Sequence, residues 1–171
     1  MWRWTGRDRP PFAVPPAMGQ ESVWDYPRPP CIEPDAREVT IQLGAVLIAR
    51  STRALRVLET ASPPTFYLPW DDLAAAHLQR CPGQSACEWK GLAGYWAVVA
   101  GSQRLDAVAW SYEAPRPAFA ALRGHLGFYP GRLDCFVGGI RVLPQPGRFY
   151  AGWVTPEITG PFKGEPGSEH W

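Results

Sequence analysis

The sequence has no C-x-x-C pair, no long apolar run, no basic stripe and no acidic tail. Each absence removes a class of function. The four cysteines are Cys31, Cys81, Cys87 and Cys135, and no His-rich tract lies near them. A tetrahedral zinc site is commonly built from two close ligand pairs, so neither a metal nor a cofactor is expected. Residues Met1 to Asp8 hold no apolar signal core, and a membrane helix needs about 20 consecutive apolar residues. A cytoplasmic protein with free thiols and no membrane partner is the expectation. The net charge is +1, and phosphate binding without sequence preference needs clustered Lys and Arg, so nucleic acid is not an expected partner. The phosphate-cradling patterns G-x-x-x-x-G-K-[ST] and G-x-G-x-x-G are missing, as is the G-x-S-x-G elbow.

What is present points to a β-rich domain. A chain of 171 residues can bury roughly 70% of its unfolded surface, which is enough to hold together without a staple. Its 20 Pro and 17 Gly imply many turns and few long helices. Its 9 Trp provide large flat surfaces to bury or to bind with.

Residues 1–38 read as a Pro-rich irregular arm. A core domain is expected over 39–143, and a Pro/Gly-rich C-terminal arm packing on it over 144–171. Val39-Thr40-Ile41-Gln42-Leu43 alternates with the period of a half-buried strand. Strands are also expected at 45–49, 55–59 and 65–68. Asp71 or Asp72 is placed to cap a short helix running to Leu78, with Cys81-Pro82-Gly83 as the breaker. A second short helix is expected over 117–122, a strand over 126–129, and a hairpin over 133–143 around Gly138-Gly139. The fold class is mainly β: two antiparallel sheets, one or two short helices and irregular arms.

The segment 94–112 is the clearest hairpin, reversing at Gly101-Ser102, a pair suited to a type II′ turn. A two-residue turn fixes register. Ala100 then faces Gln103, Val98 faces Leu105 and Trp96 faces Ala107, giving one apolar face. The other face carries Tyr95, Ala97 and Val99, with Arg104, Asp106, Val108, Trp110 and Tyr112. This register sets Asp106 opposite Ala97 and Tyr95 opposite Val108. Rings beside charges are what a small-molecule site requires: flat area for burial and a few polar groups for orientation. The alternative is that a tail covers this face and the rings are second-layer core.

Other residues carry paired readings. Glu59 shares a strand face with Leu55 and Val57. Its carboxylate is either a buried general base or the partner of an Arg. Lys90, at the mouth of the hairpin, either holds an anion or is solvated. Cys87 is a nucleophile only if its thiolate is favoured; otherwise it is a buried inert thiol. His125 reads as structural or as a ligand contact.

Several motifs in order resemble those of the domain of unknown function 427 family. They are Arg56-Val57-Leu58-Glu59-Thr60 with Pro63-Pro64 and Phe66-Tyr67, Cys87-Glu88-Trp89-Lys90-Gly91 with Tyr95-Trp96, Ala109-Trp110-Ser111-Tyr112, and His125 through Phe128-Tyr129. The ending from Gly152-Trp153 to Pro166-Gly167 is similar to longer members. The resemblance implies a β-tent-like fold, two antiparallel sheets leaning together at one edge. Other β-tent proteins often hold zinc on two Cys pairs; this sequence lacks them, so no metal is implied. Some hold small cyclic ligands in a cage of aromatic rings. The family is also described as nucleotidyltransferase-like, a chemistry that needs Gly-Ser followed by paired carboxylates. Here Gly101-Ser102 is followed by Asp106 alone.

The function read from this sequence is a small-molecule-binding domain of unknown ligand. Tyr95, Trp110 and Tyr112 form its walls, and Lys90, Glu59 and His125 its polar contacts. Two alternatives are a metal-independent enzyme using Glu59 or Asp106 as acid/base with Lys90, and a protein-interaction module built on the Trp-rich arms.

Overall fold

The computed structural model describes residues 2–171. Strand accounts for 47% of the chain and helix for 9%, so the fold is mainly β. The strands are β1 (Glu21–Ser22), β2 (Cys31–Asp35), β3 (Val39–Leu43), β4 (Val46–Ser51), β5 (Ala54–Glu59), β6 (Ser62–Pro69), β7 (Leu78–Cys87), β8 (Gly91–Ala100), β9 (Gln103–Ser111), β10 (His125–Phe128), β11 (Asp134–Val137), β12 (Ile140–Arg141), β13 (Leu143–Pro144), β14 (Trp153–Val154) and β15 (Ile158–Thr159). Seven form one open antiparallel sheet in the order β2-β5-β6-β10-β9-β8-β7, and four form a second in the order β12-β11-β3-β4. Two short pairs complete the fold: β13 with β14, and β1 with β15, the latter parallel. No helix among the described residues is long and apolar enough to cross a membrane.

Alternation along the central strands decides which side chains go where. In β6, Phe66 and Leu68 point into the core between the two large sheets, while Tyr67 points to the opposite face. That core takes Val39 and Ile41 from β3, Ile48 from β4, Val98 from β8, Leu126 and Phe128 from β10, and Trp153 from β14. The seven-stranded sheet is therefore covered on both faces at its centre.

The sequence expectations hold for most strands and for the Pro117–Leu122 turn, which is a kinked 3-10 helix. Three differences have physical causes. The helix expected from Asp71 is instead two 3-10 turns, Trp70–Asp72 and Ala75–His77. The chain then runs extended straight through Cys81-Pro82-Gly83 as β7. Pro82 is tolerated because β7 is an edge strand and the register shifts there, between Arg80 and Gln84.

The arms are also more ordered than their composition implies. Cys31–Asp35 is a strand of the large sheet, paired with β5, so the sheet begins before the expected boundary at 38/39. Arg56 on β5 reaches Glu21 and Glu33 at 3.2 Å and Asp35 at 3.6 Å, tying β1 and β2 to the sheet. Trp4, Phe12, Trp24 and Trp171 pack edge-on or stacked, which joins the two ends of the chain.

The third difference is the hairpin register. The Gly101-Ser102 reversal forms, with Gly101 at a φ of +59°, and Ala100↔Gln103 and Val98↔Leu105 pair as expected. Beyond them β9 carries a bulge, with Ala107 at a φ of +51°. Trp96 consequently pairs with Ala109, not Ala107, and Tyr95 with Trp110, not Val108. No turn residue announces this left-handed alanine in the sequence.

Trp153 lies in the segment expected to be an arm, yet it is fully buried. It stacks on Phe66 at 4.8 Å and donates its indole N–H to the Phe128 carbonyl at 3.0 Å. Trp153→Ala is expected to cost about 3–5 kcal/mol in urea unfolding. A loss below about 1 kcal/mol would mark the segment as a peripheral tail.

Candidate functional site

The face of the seven-stranded sheet turned away from the four-stranded sheet supports a cavity of about 450 Å³. Tyr67 of β6 and Trp110 of β9 lie at its floor, with Tyr112 just beyond β9 and Tyr129 just beyond β10. The Trp110 indole N–H donates to the Tyr67 hydroxyl at 3.2 Å, and the two rings meet edge to face at 5.8 Å. Trp110 also packs on Tyr129 at 4.8 Å. Its indole lies across Gly127 on the neighbouring strand: a Cβ there would come within 2.5 Å of the ring. A glycine is needed at that point for the wall to stand where it does.

Lys90 sits in the turn between β7 and β8, with its backbone carbonyl accepting from Arg116 N at 3.0 Å. Its stem is half-buried, and its ammonium end reaches in among the rings, 6.0 Å from the Tyr112 ring centre. Burial acts to lower its pKa, but the Tyr67 phenol, Cys87 thiol and Glu59 carboxylate outweigh that and hold it above the ordinary ammonium value. Burial, with Tyr67 and Cys87 beside it, raises the Tyr112 phenol, so it stays protonated at neutral pH.

Glu59 stands at one side of the cavity, on the strand face the sequence assigns to it. It makes an ion pair with Arg28 at 3.4 Å. Arg28 is 99% buried at its side chain (1% exposed) and also donates to the Thr60 carbonyl at 2.8 Å. Its guanidinium lies 4.4 Å over the Trp2 ring.

The outer wall comes from the tail. Gln145 is buried and accepts from Gly152 N at 3.0 Å while donating to the Lys163 carbonyl at 2.7 Å. This pins the segment that carries Phe149, Tyr150 and Ala151 against the opening. Phe149 is 80% exposed at the mouth. The two readings of the mixed hairpin face thus meet: a tail does cover it, with a void left between.

The cavity brings together Glu59, Lys90, Tyr95, Trp110 and Tyr112. Tyr95 is fixed by a 2.7 Å hydrogen bond with Ser85. Asp106 and His125 are not among its walls. Asp106, beside the β9 bulge, points to solvent, where it pairs with Arg104 at 2.8 Å. His125 starts β10, opposite Pro69, with its Nδ1 3.2 Å from the Arg123 carbonyl. Asp106, offered as a catalytic carboxylate, and His125, offered as a ligand contact, thus lie outside this cavity. The sequence reading missed Tyr67, Trp89, Tyr129 and Lys163. All four lie inside the quoted motifs, which was the available signal.

The four cysteines are free thiols. Cys87 lines the cavity beside Lys90 and Tyr112, whereas Cys135 is core, where burial raises its pKa and keeps it inert. Among the described residues no group of three or more His, Cys, Asp and Glu is gathered as a metal site would need.

Gly127→Ala is expected to push the Trp110 indole off its seat and break its bond to Tyr67. The overpacking should cost about 1–3 kcal/mol in urea unfolding, with a changed near-ultraviolet dichroism spectrum. Unaltered stability and spectrum would mean that the indole does not lie on Gly127.

A search of curated proteins returns no match. The family model described as a domain of unknown function, DUF427, matches residues 31–139, from β2 to the turn before β12. The match spans the sheet that supports the cavity, and the chain belongs to the DUF427 family.

Proposed function

We propose that this protein binds a small molecule in the aromatic cavity above the seven-stranded sheet. One observation carries the reading: motifs far apart in the chain converge on a single void. Val57 and Glu59 come from the first motif, Pro63 and Tyr67 follow, the next brings Trp89 and Lys90, and others bring Tyr95, Trp110, Tyr112 and Tyr129. Packing alone would fill such a space. Here it stays open at about 450 Å³, within the range of roughly 300–1,000 Å³ usual for ligand sites. Its chemistry also fits, with ring faces for burial and a few polar groups for orientation.

The reading is favoured over an interaction module because the arms fold onto the domain, and Trp4, Trp24 and Trp171 are occupied with one another. It is favoured over acid–base catalysis because Glu59 already serves as the counter-charge of Arg28.

A library of organic acids, amides, amines and nucleotides, followed by melting temperature and tryptophan fluorescence, tests it. A true ligand raises the melting temperature and alters emission. Trp110→Ala should weaken its affinity at least tenfold, about 1.4 kcal/mol. Ala151→Trp, which fills the void and leaves the floor intact, should abolish binding. Hits indifferent to Ala151→Trp, or no hits at all, would contradict the proposal.

A further inference from the structure

Resting on the reading that the cavity takes a small molecule, we infer that the ligand is a planar organic anion: a carboxylate or enolate gripped by Lys90 with the Tyr67 and Tyr112 hydroxyls, its ring lying against Trp110 and Tyr129. The charge balance of the walls is the first ground. Lys90, Arg148 and Lys163 line the cavity against two carboxylates, Glu59 and Glu88. Glu59 is committed to the buried Arg28 at 3.4 Å, and Glu88 is exposed at the rim. Among the described residues no carboxylate lies within ion-pair distance of Lys90; the Tyr67 phenol and the Cys87 thiol lie beside it, and the Glu59 carboxylate acts from beyond contact. A half-buried ammonium with no carboxylate in contact has a place beside it for an anion. Lys163 differs: its ammonium donates to the Trp171 carbonyl at 2.9 Å, and burial with the nearby Arg28 charge holds it below the ordinary ammonium value.

Hydrogen bonding is the second ground. Tyr67 is 1% exposed, yet the hydrogen bond at its hydroxyl is one it accepts, from Trp110 Nε1 at 3.2 Å. That bond fixes the oxygen at a point where the Tyr112 hydroxyl and the Lys90 ammonium also come close. Lys90, Tyr67 and Tyr112 together offer donors, and a site rich in donors is completed by an acceptor-rich ligand. An amine would bring a cation against Lys90 and Lys163. A polyphosphate is commonly cradled by a glycine-lined nest of backbone N–H groups, and among the described residues no glycine lines this cavity. The ring walls, Trp110 on Tyr129 at 4.8 Å and Tyr67 edge-on at 5.8 Å, favour a flat body.

The test is calorimetric titration of the full chain with 2-naphthoate, its neutral amide 2-naphthamide, the cationic 2-naphthylmethylamine, and ATP. The acid should bind at least tenfold more tightly than the amide, with the amine and ATP weaker still. Lys90→Met should lower affinity for the acid at least tenfold while leaving the amide unchanged. Tyr112→Phe, which keeps the ring, should weaken the acid several-fold and the amide not at all, and serves where Lys90→Met fails to fold. An amide or amine that binds as tightly as the acid overturns the anion assignment and leaves the cavity reading standing, as does preference for ATP. If none of the four binds, the planar-anion assignment falls, and the wider library with Ala151→Trp judges the cavity independently.

Discussion

Trp110 donates its indole N–H to Tyr67 in the middle of the seven-stranded sheet, on the face turned away from the four-stranded sheet. Much of the cavity depends on this contact. A strand sends successive side chains to opposite faces, so β6 can hold the inter-sheet core with Phe66 and Leu68 only by committing Tyr67 to the far side. A phenol there is buried, and its hydroxyl must find a partner. The indole supplies one, and Gly127 supplies the room for the indole. Rigid floors of this kind keep a void open, because rings locked edge to face cannot rotate into it.

The tail supplies the other half. Trp153 and Ile158 anchor the last part of the chain in two separate apolar clusters. The segment before them, held by Gln145, spans the opening. The N-terminal arm is fixed through charge: Arg56 gathers carboxylates from β1 and β2. Burial opposes ionisation of Asp35, yet hydrogen bonds from Arg37 outweigh it and hold its pKa below the ordinary carboxylate value. That contribution to stability is present above the unfolded carboxylate range and fades as pH falls below it.

Much of this was legible in the chain. Alternation located β3, β5 and the 94–112 hairpin, and the parity of β5 put Glu59 on the cavity side with Val57. What the sequence hid is local backbone geometry and long-range pairing. The bulge at Ala107 has no glycine or asparagine to mark it, and it sets Tyr95 opposite Trp110. The β7 strand was masked by Cys81-Pro82-Gly83, which reads as a breaker and proves to be an edge-strand bulge. Tyr67 and Tyr129 could not be assigned a face, because β10 inserts between β6 and β9 and no local pattern reveals which strands become neighbours.

The central claim is that a flat anion fits above Trp110 with its charge at Lys90. Crystals soaked with 6-bromo-2-naphthoate and measured at the bromine absorption edge test this most directly. The account predicts an anomalous bromine peak inside the void walled by Trp110 and Tyr129, with the carboxylate within hydrogen-bond reach of the Lys90 ammonium. No peak there, with Phe149 and Tyr150 folded in to fill the space, would contradict it.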